Sequence, residues 1–258
     1  MMKMPVERLN QLIRSGYADS NKLNINILHE LGFFVIRDFV EVLVLNRLLK
    51  IYIDKTNLSP VENHPTKVFS EIDPVNEIVK SKSFQSILPL FFNGNVGYIR
   101  GQFFRKNKNN PDKVKLHNDL MYSSGGSEKY SIFIPITNSN KLNGNLILYP
   151  GTHHFGLLGD AGELNRDILP KDLLPLENEL NPGDVLIMNS ATWHESKSFK
   201  CGQERVFFEF KLVSSEDPTS VGILLGDKKQ LYKLTGVCND LFLNSRLQRL
   251  TNLYRKTQ

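Results

Sequence analysis

Between residues 96 and 213 the chain consists of short β-branched and aromatic runs broken by Gly, Asn, Pro and Asp. No other feature restricts the fold as strongly. The runs fall at 96–104, 114–119, 130–137, 145–149, 184–189 and 204–213. The stretches "NSNKLNGN" (138–145) and "NPGD" (181–184) supply turn residues between them. Short strands at such intervals, without long helices between them, fold as an antiparallel sandwich or barrel. The expected core is therefore a double-stranded β-helix (a jelly roll of cupin-like layout) of roughly eight strands.

The flanks read differently. "LNINILHEL" (23–31) carries a helical apolar stripe and stops at Gly32, a residue suited to ending a helix. "FFVIRDFV" (33–40) predicts a strand, "EVLVLNRLLKIYIDK" (41–55) a helix packed on the core, and 75–87 a short helix. "NDLFLNSRLQRLTNLYRK" (239–256) has helical periodicity with late basic residues. The expected class is mainly β with flanking α, in one domain over 1–258. Helical support spans about 7–90, the jelly-roll core about 95–215 and a C-terminal helix about 228–256.

Composition excludes several classes. No apolar run in the 258 residues approaches the ~20 needed to cross a bilayer. The start "MMKMPVERLN" lacks the apolar stretch and cleavage site of a secretory leader, so a cytoplasmic location is expected. Cys201 and Cys238 read as free thiols, and without a C-x-x-C pair zinc-ribbon and thioredoxin chemistry are out. The net charge of +5 fits solubility or an anionic small-molecule substrate. No basic stripe with interleaved aromatics points to nucleic acid.

The stretch "LHND" (116–119) raises the question of chemistry. On a strand, alternation would turn His117 and Asp119 to one face and Asn118 to the other. An H-x-D triplet alone is common. His194, in "NPGDVLIMNSATWHESKSFKCGQERVFFEF" (181–210), can add a third ligand from another strand. Two His and one carboxylate form the facial triad of non-haem Fe(II) oxygenases, which leaves positions open for co-substrate and dioxygen. Arg205, eleven residues after His194, opens an apolar strand. A guanidinium there needs an anion, either a clamped carboxylate or a salt bridge at the rim.

Four stretches in order, "LHELGFFVIRDFV" (28–40), "LHND", "FIPITNSNKLNGNLILYPGTHHFG" (133–156) and "NPGDVLIMNSATWHESKSFKCGQERVFF" (181–208), resemble the phytanoyl-CoA dioxygenase-like group of Fe(II)- and 2-oxoglutarate-dependent oxygenases. The resemblance runs from about 25 to 213. It implies that His117, Asp119 and His194 ligate Fe(II) and that Arg205 holds the distal carboxylate of 2-oxoglutarate. It also implies that Ser196 assists Arg205, that Phe133 lines the co-substrate pocket, and that Gln102 or Arg100 touches co-substrate or substrate. The implied reaction is hydroxylation of an unactivated C–H bond with dioxygen. Asp119 argues against halogenation, because halogenases of this kind lack the carboxylate. The segment "RKNKNNPDKVK" (105–115) is longer and more basic than usual for the group, and no CoA-ester site is readable.

A metal-binding cupin that isomerises or binds a sugar would share the barrel without requiring Arg205. A nucleic-acid demethylase of the same superfamily would carry R-x-N-x-T-x-R where "RVFFEFK" (205–211) stands. His153 and His154, adjacent on an extended chain, would face opposite ways and not share one ion, so structural or ligand-supporting work is expected of them. Trp193 either walls the iron pocket or fills the core. His29 and His64 are read as without catalytic function.

Overall fold

The computed structural model describes residues 5–58, 67–68, 74–122, 125–155 and 166–227. In chain order these hold helix α1 (Val6–Arg14), strand β1 (Asp19–Ser20), helix α2 (Ile25–Leu31), strand β2 (Phe33–Ile36), helix α3 (Val42–Leu58), strand β3 (Lys67–Val68) and helices α4 (Val75–Ile78) and α5 (Lys82–Ile87). The strands continue with β4 (Val96–Lys106), β5 (Val114–His117), β6 (Tyr130–Pro135), β7 (Leu146–Leu148) and β8 (Leu176–Glu177). The last are β9 (Val185–Asn189), β10 (His194–Ser196), β11 (Arg205–Ser214) and β12 (Gly222–Leu225).

Two sheets form the core. The larger runs β1-β2-β9-β6-β11-β4-β12, with β3 also paired to β4; the smaller runs β5-β10-β7-β8. This is the expected jelly-roll layout of two facing sheets. Alternation on β11 divides its side chains between two environments. Phe208 and Phe210 point outward, Phe208 against Phe103 (5.0 Å between rings) and Phe210 against Phe84 of α5 (6.1 Å). Arg205, Phe207, Glu209 and Lys211 take the other face, toward the smaller sheet.

Helix α2 shows how local sequence sets the frame. The Asn24 side chain accepts from the Ile27 N–H at 3.2 Å, which caps the start. Gly32 ends the helix in the left-handed conformation at φ 84°, a position that favours glycine. The chain turns at once into β2, whose four residues are all buried, covered on one face by the helices and on the other by the opposite sheet.

Several expectations shift. The helix foreseen over 75–87 is two helices broken at 79–81, because Ser81 caps a new start by accepting from Phe84 N–H. The strand foreseen over 114–119 ends at His117, and Asp119 begins a 3-10 turn (Asp119–Tyr122) instead. The core counts twelve strands among the described residues rather than about eight, the surplus coming largely from two-residue edge pieces such as β1, β3 and β8. The helix expected near 228–256, Cys238 and His64 lie outside the described residues. No helix among the described residues is long and apolar enough to cross a membrane.

Candidate metal centre and anion pocket

His117 and His194 are direct cross-strand neighbours on antiparallel β5 and β10. Their rings lie 4.2 Å apart, centre to centre. Strand alternation does not bring Asp119 to them. The strand stops, Asn118 turns into the interior, and the Leu120 N–H donates to Ser190 O at 3.0 Å, so the 3-10 turn is anchored to the segment that leads into His194. Asp119 Oδ1 then sits 3.7 Å from His117 Nε2 and 3.6 Å from His194 Nε2. One ligand atom from each of the three residues falls within 4.8 Å of the others, a set that could hold one metal ion.

The imidazoles are oriented for that task. His117 Nδ1 lies 2.8 Å from Lys115 O and His194 Nδ1 lies 3.0 Å from Thr192 O. A carbonyl only accepts, so each Nδ1 carries a hydrogen and each Nε2 is turned toward Asp119. Burial, with His117 next to it, lowers His194 to about 4, so this ring is neutral near pH 7. Burial alone would raise the Asp119 carboxyl. Lys211, the two imidazoles and the Ser131 hydroxyl outweigh it and hold Asp119 ionised, well below the usual carboxylate range.

At the opposite end of the same face of β11, Arg205 is 5% exposed. One of its terminal nitrogens donates to Gly144 O, its guanidinium lies 5.0 Å from the centre of the Phe207 ring, and its Nε has no hydrogen-bond acceptor. Among the described residues no carboxylate pairs with it. Burial lowers it to about 10, which leaves it charged at neutral pH. Lys106, its cross-strand neighbour on β4, is also buried, and its Nζ donates to Asp112 O (2.5 Å) and Lys197 O (3.0 Å). Burial and the nearby Arg205 lower Lys106 to about 8. Two buried cations whose hydrogen bonds, among the described residues, go to backbone carbonyls make a site suited to an anion.

The remaining expected residues divide. Ser196 is on β10 two residues past His194, and its hydroxyl accepts from Val114 N–H at 3.3 Å rather than bonding Arg205. Phe133 is buried beside Phe207, the rings 6.0 Å apart, and so stands on the wall between Arg205 and Glu209. The Gln102 amide donates to Glu209 Oε2 at 3.2 Å. The Arg100 side chain lies outside the described residues.

His153 and His154 do not sit on extended chain. They occupy a 3-10 turn (Thr152–Phe155) with their ring centres 3.9 Å apart and the planes tilted by 38°. His153 Nε2 lies 2.9 Å from His29 O, to which it donates, and its Nδ1 packs against Gly32, where an added Cβ would come within 2.4 Å. This ring therefore ties the turn to α2. Trp193 is fully buried and fills the core. A 480 Å³ cavity beside the metal turn is lined by Leu28, Leu120, Tyr130, His153, His154 and Ala191, among others.

Four functional candidates were missed in the sequence: Lys106, Ser131, Glu209 and Lys211. The signal for two of them was present. Glu209 and Lys211 continue, at every second residue, the face of "RVFFEFK" that Arg205 begins.

No family model matches the chain, and no curated protein matches it. Solved structures do. The non-heme monooxygenase ThoJ in its apo form superimposes with a TM-score of 0.65 at 14% identity, over 90% of this chain and 98% of that one. The epimerase SnoN in complex with Fe3+, alpha ketoglutarate and nogalamycin RO gives a TM-score of 0.64 at 11% identity, over 90% and 97%. HygX from Streptomyces hygroscopicus with nickel and 2-oxoglutarate bound gives 0.59 at 12%, over 75% and 88%. This chain is similar to them in fold.

Proposed function

We propose that the chain is a non-haem Fe(II)- and 2-oxoglutarate-dependent oxygenase of the phytanoyl-CoA dioxygenase-like group, acting on an unactivated C–H bond of a small molecule. The observation that carries the reading is a three-ligand cluster centred on the smaller sheet together with a guanidinium, buried on the facing strand β11, that pairs with no carboxylate among the described residues. The donor set fits iron: two imidazole nitrogens and one carboxylate oxygen, ligands suited to Fe(II). The orphaned Nε of Arg205 fits the distal carboxylate of 2-oxoglutarate, which a planar guanidinium grips with two parallel bonds. The fold shared with ThoJ, SnoN and HygX supports the same assignment.

In this reading His117, Asp119 and His194 hold the metal, and Lys115 O and Thr192 O fix the two rings. Arg205 orients the co-substrate, Phe207 and Phe133 flank its path, and Lys106 adds positive charge at the distal end. Ser131 holds Asp119 in place through Oδ2 at 2.9 Å. Iron with 2-oxoglutarate and dioxygen supplies the oxidising power for C–H attack, with succinate and carbon dioxide as co-products. Asp119 supports hydroxylation over halogenation.

The support for an anionic substrate lies in the approach. Lys108, Lys113 and Lys115 are exposed in the segment that delivers His117 and would steer anions inward. The adjacent 480 Å³ cavity has Glu128 and, among the described residues, no Lys or Arg in its lining, so it would select by shape and hydrogen bonding rather than by charge. A metal-only sugar isomerase would leave Arg205 without a ligand.

The experiment is succinate release from 2-oxoglutarate by the iron-loaded chain across a panel of small molecules. Succinate formation that Asp119→Ala abolishes supports the reading. Turnover without any 2-oxoglutarate consumption contradicts it.

A further inference from the structure

Asp119 has two unlike oxygens. Oδ1 faces the imidazoles, whereas Oδ2 accepts from Ser131 Oγ at 2.9 Å and pairs with Lys211 Nζ at 3.1 Å. Lys211 Nζ also reaches Ser131 Oγ at 2.9 Å and Glu209 Oε1 at 2.8 Å. Glu209 is 2% exposed, and its other oxygen accepts from Gln102 Nε2 at 3.2 Å. The register explains the convergence. Lys211 is directly cross-strand from Ser131, and Glu209 is cross-strand from both Phe133 and Gln102.

A buried ammonium beside a dication is unfavourable on its own, and so is a buried carboxylate. Together they cancel: Asp119, Glu209 and Lys211 sum to −1, the charge of Asp119 alone. A neutral filler at both positions would pack the barrel at lower cost. What the ion pair adds is a directed positive charge on one oxygen of a metal ligand.

We propose that Lys211, braced by Glu209, is a positioning residue that keeps Oδ2 of Asp119 off the metal and restricts the aspartate to one coordination bond. The pair also sets metal affinity by opposed charges, Lys211 weakening it and Glu209 strengthening it. One bond from each of three residues leaves half of an octahedral shell open; a two-oxygen Asp119 would close one of those positions. The inference rests on the metal-site reading of the triad.

The test is Co(II) titration of the full chain, followed by calorimetry and by visible absorption, which reports cobalt coordination number. Lys211→Met should bind Co(II) about tenfold more tightly, and Glu209→Gln about tenfold more weakly. The double variant should return to within about threefold of the parent. Both variants lacking Lys211 should show an altered cobalt spectrum as Oδ2 joins the shell. A purely structural lysine predicts weaker binding in Lys211→Met, and that result, or two single variants shifting in the same direction, overturns the proposal. Should a single variant fail to fold by circular dichroism, the neutral double variant decides, and an unchanged cobalt spectrum there overturns it. A parent chain that binds no Co(II) would overturn the metal-site reading itself.

Discussion

His117 and His194 face each other across β5 and β10, and each ring is fixed by its Nδ1 against the carbonyl two residues earlier in the chain, Lys115 O and Thr192 O. The ligand set is thus pre-oriented by backbone geometry. Replacing either ring by Ala should cost at least about 100-fold in divalent-metal affinity, measured by calorimetry. His153→Ala should leave metal affinity within about threefold and lower stability by about 1 kcal/mol, because it removes one tie to His29 O.

Arg205 supplies a second prediction, with an unusual sign. Its charge is buried without a carboxylate partner among the described residues, so an apolar substitute removes a penalty. Arg205→Met should raise stability of the ligand-free chain by about 1 kcal/mol in denaturant unfolding. The same variant should lose the added stability that 2-oxoglutarate gives the metal-loaded parent.

Lys106 should make 2-oxoglutarate binding depend on pH. Burial and Arg205 lower it to about 8 in the folded chain, against 10.5 as its ordinary value. Between those values the unfolded chain retains a proton that the folded chain has released, so stability from this group rises with pH across the window. Its full cost is present below about 8 and gone above about 10.5. An anion at Arg205 favours the protonated amine. Binding of 2-oxoglutarate should therefore take up a proton near about pH 9 and almost none near about pH 6.5. Calorimetry in buffers of different ionisation heat measures this directly.

Gly32 connects the helical layer to the metal turn. Its carbonyl accepts from Asn189 N–H (2.8 Å) and the Thr192 hydroxyl (2.9 Å), two residues before His194. A Cβ there would lie 2.4 Å from His153 Nδ1 and 2.6 Å from Thr192 Oγ1, at a φ of 84°. Gly32→Ala should destabilise the chain by about 3 kcal/mol and weaken metal binding, both visible in a thermal melt with and without metal.

How much of this was readable depends on the kind of interaction. The strands from Val96 to Ser214 follow from period-two apolar runs between turn residues, and their order of appearance sufficed for a jelly roll. The identities of His117, Asp119, His194 and Arg205 as candidates came from spacing. The reason Asp119 reaches the cluster did not: it depends on Leu120 bonding Ser190, a contact 70 residues apart that no local pattern encodes. The close approach of the His153 and His154 rings likewise depends on a 3-10 turn where extended chain was expected. Glu209 and Lys211 were legible by alternation from Arg205, but their meaning required knowing that Ser131 stands opposite Lys211. Ser196 was legible as a position, and only the structure shows its hydroxyl engaged by Val114.

The proposed function requires both a metal at His117, Asp119 and His194 and an anion at Arg205. Anaerobic addition of Fe(II) and 2-oxoglutarate to the full chain tests both at once, through the visible charge-transfer band of an iron-chelated 2-oxo acid. The account predicts the band in the parent, its loss in His117→Ala, and its appearance only at much higher 2-oxoglutarate in Arg205→Ala. A folded parent chain that gives no band, or an Arg205→Ala variant that gives it at the same 2-oxoglutarate concentration as the parent, would contradict it.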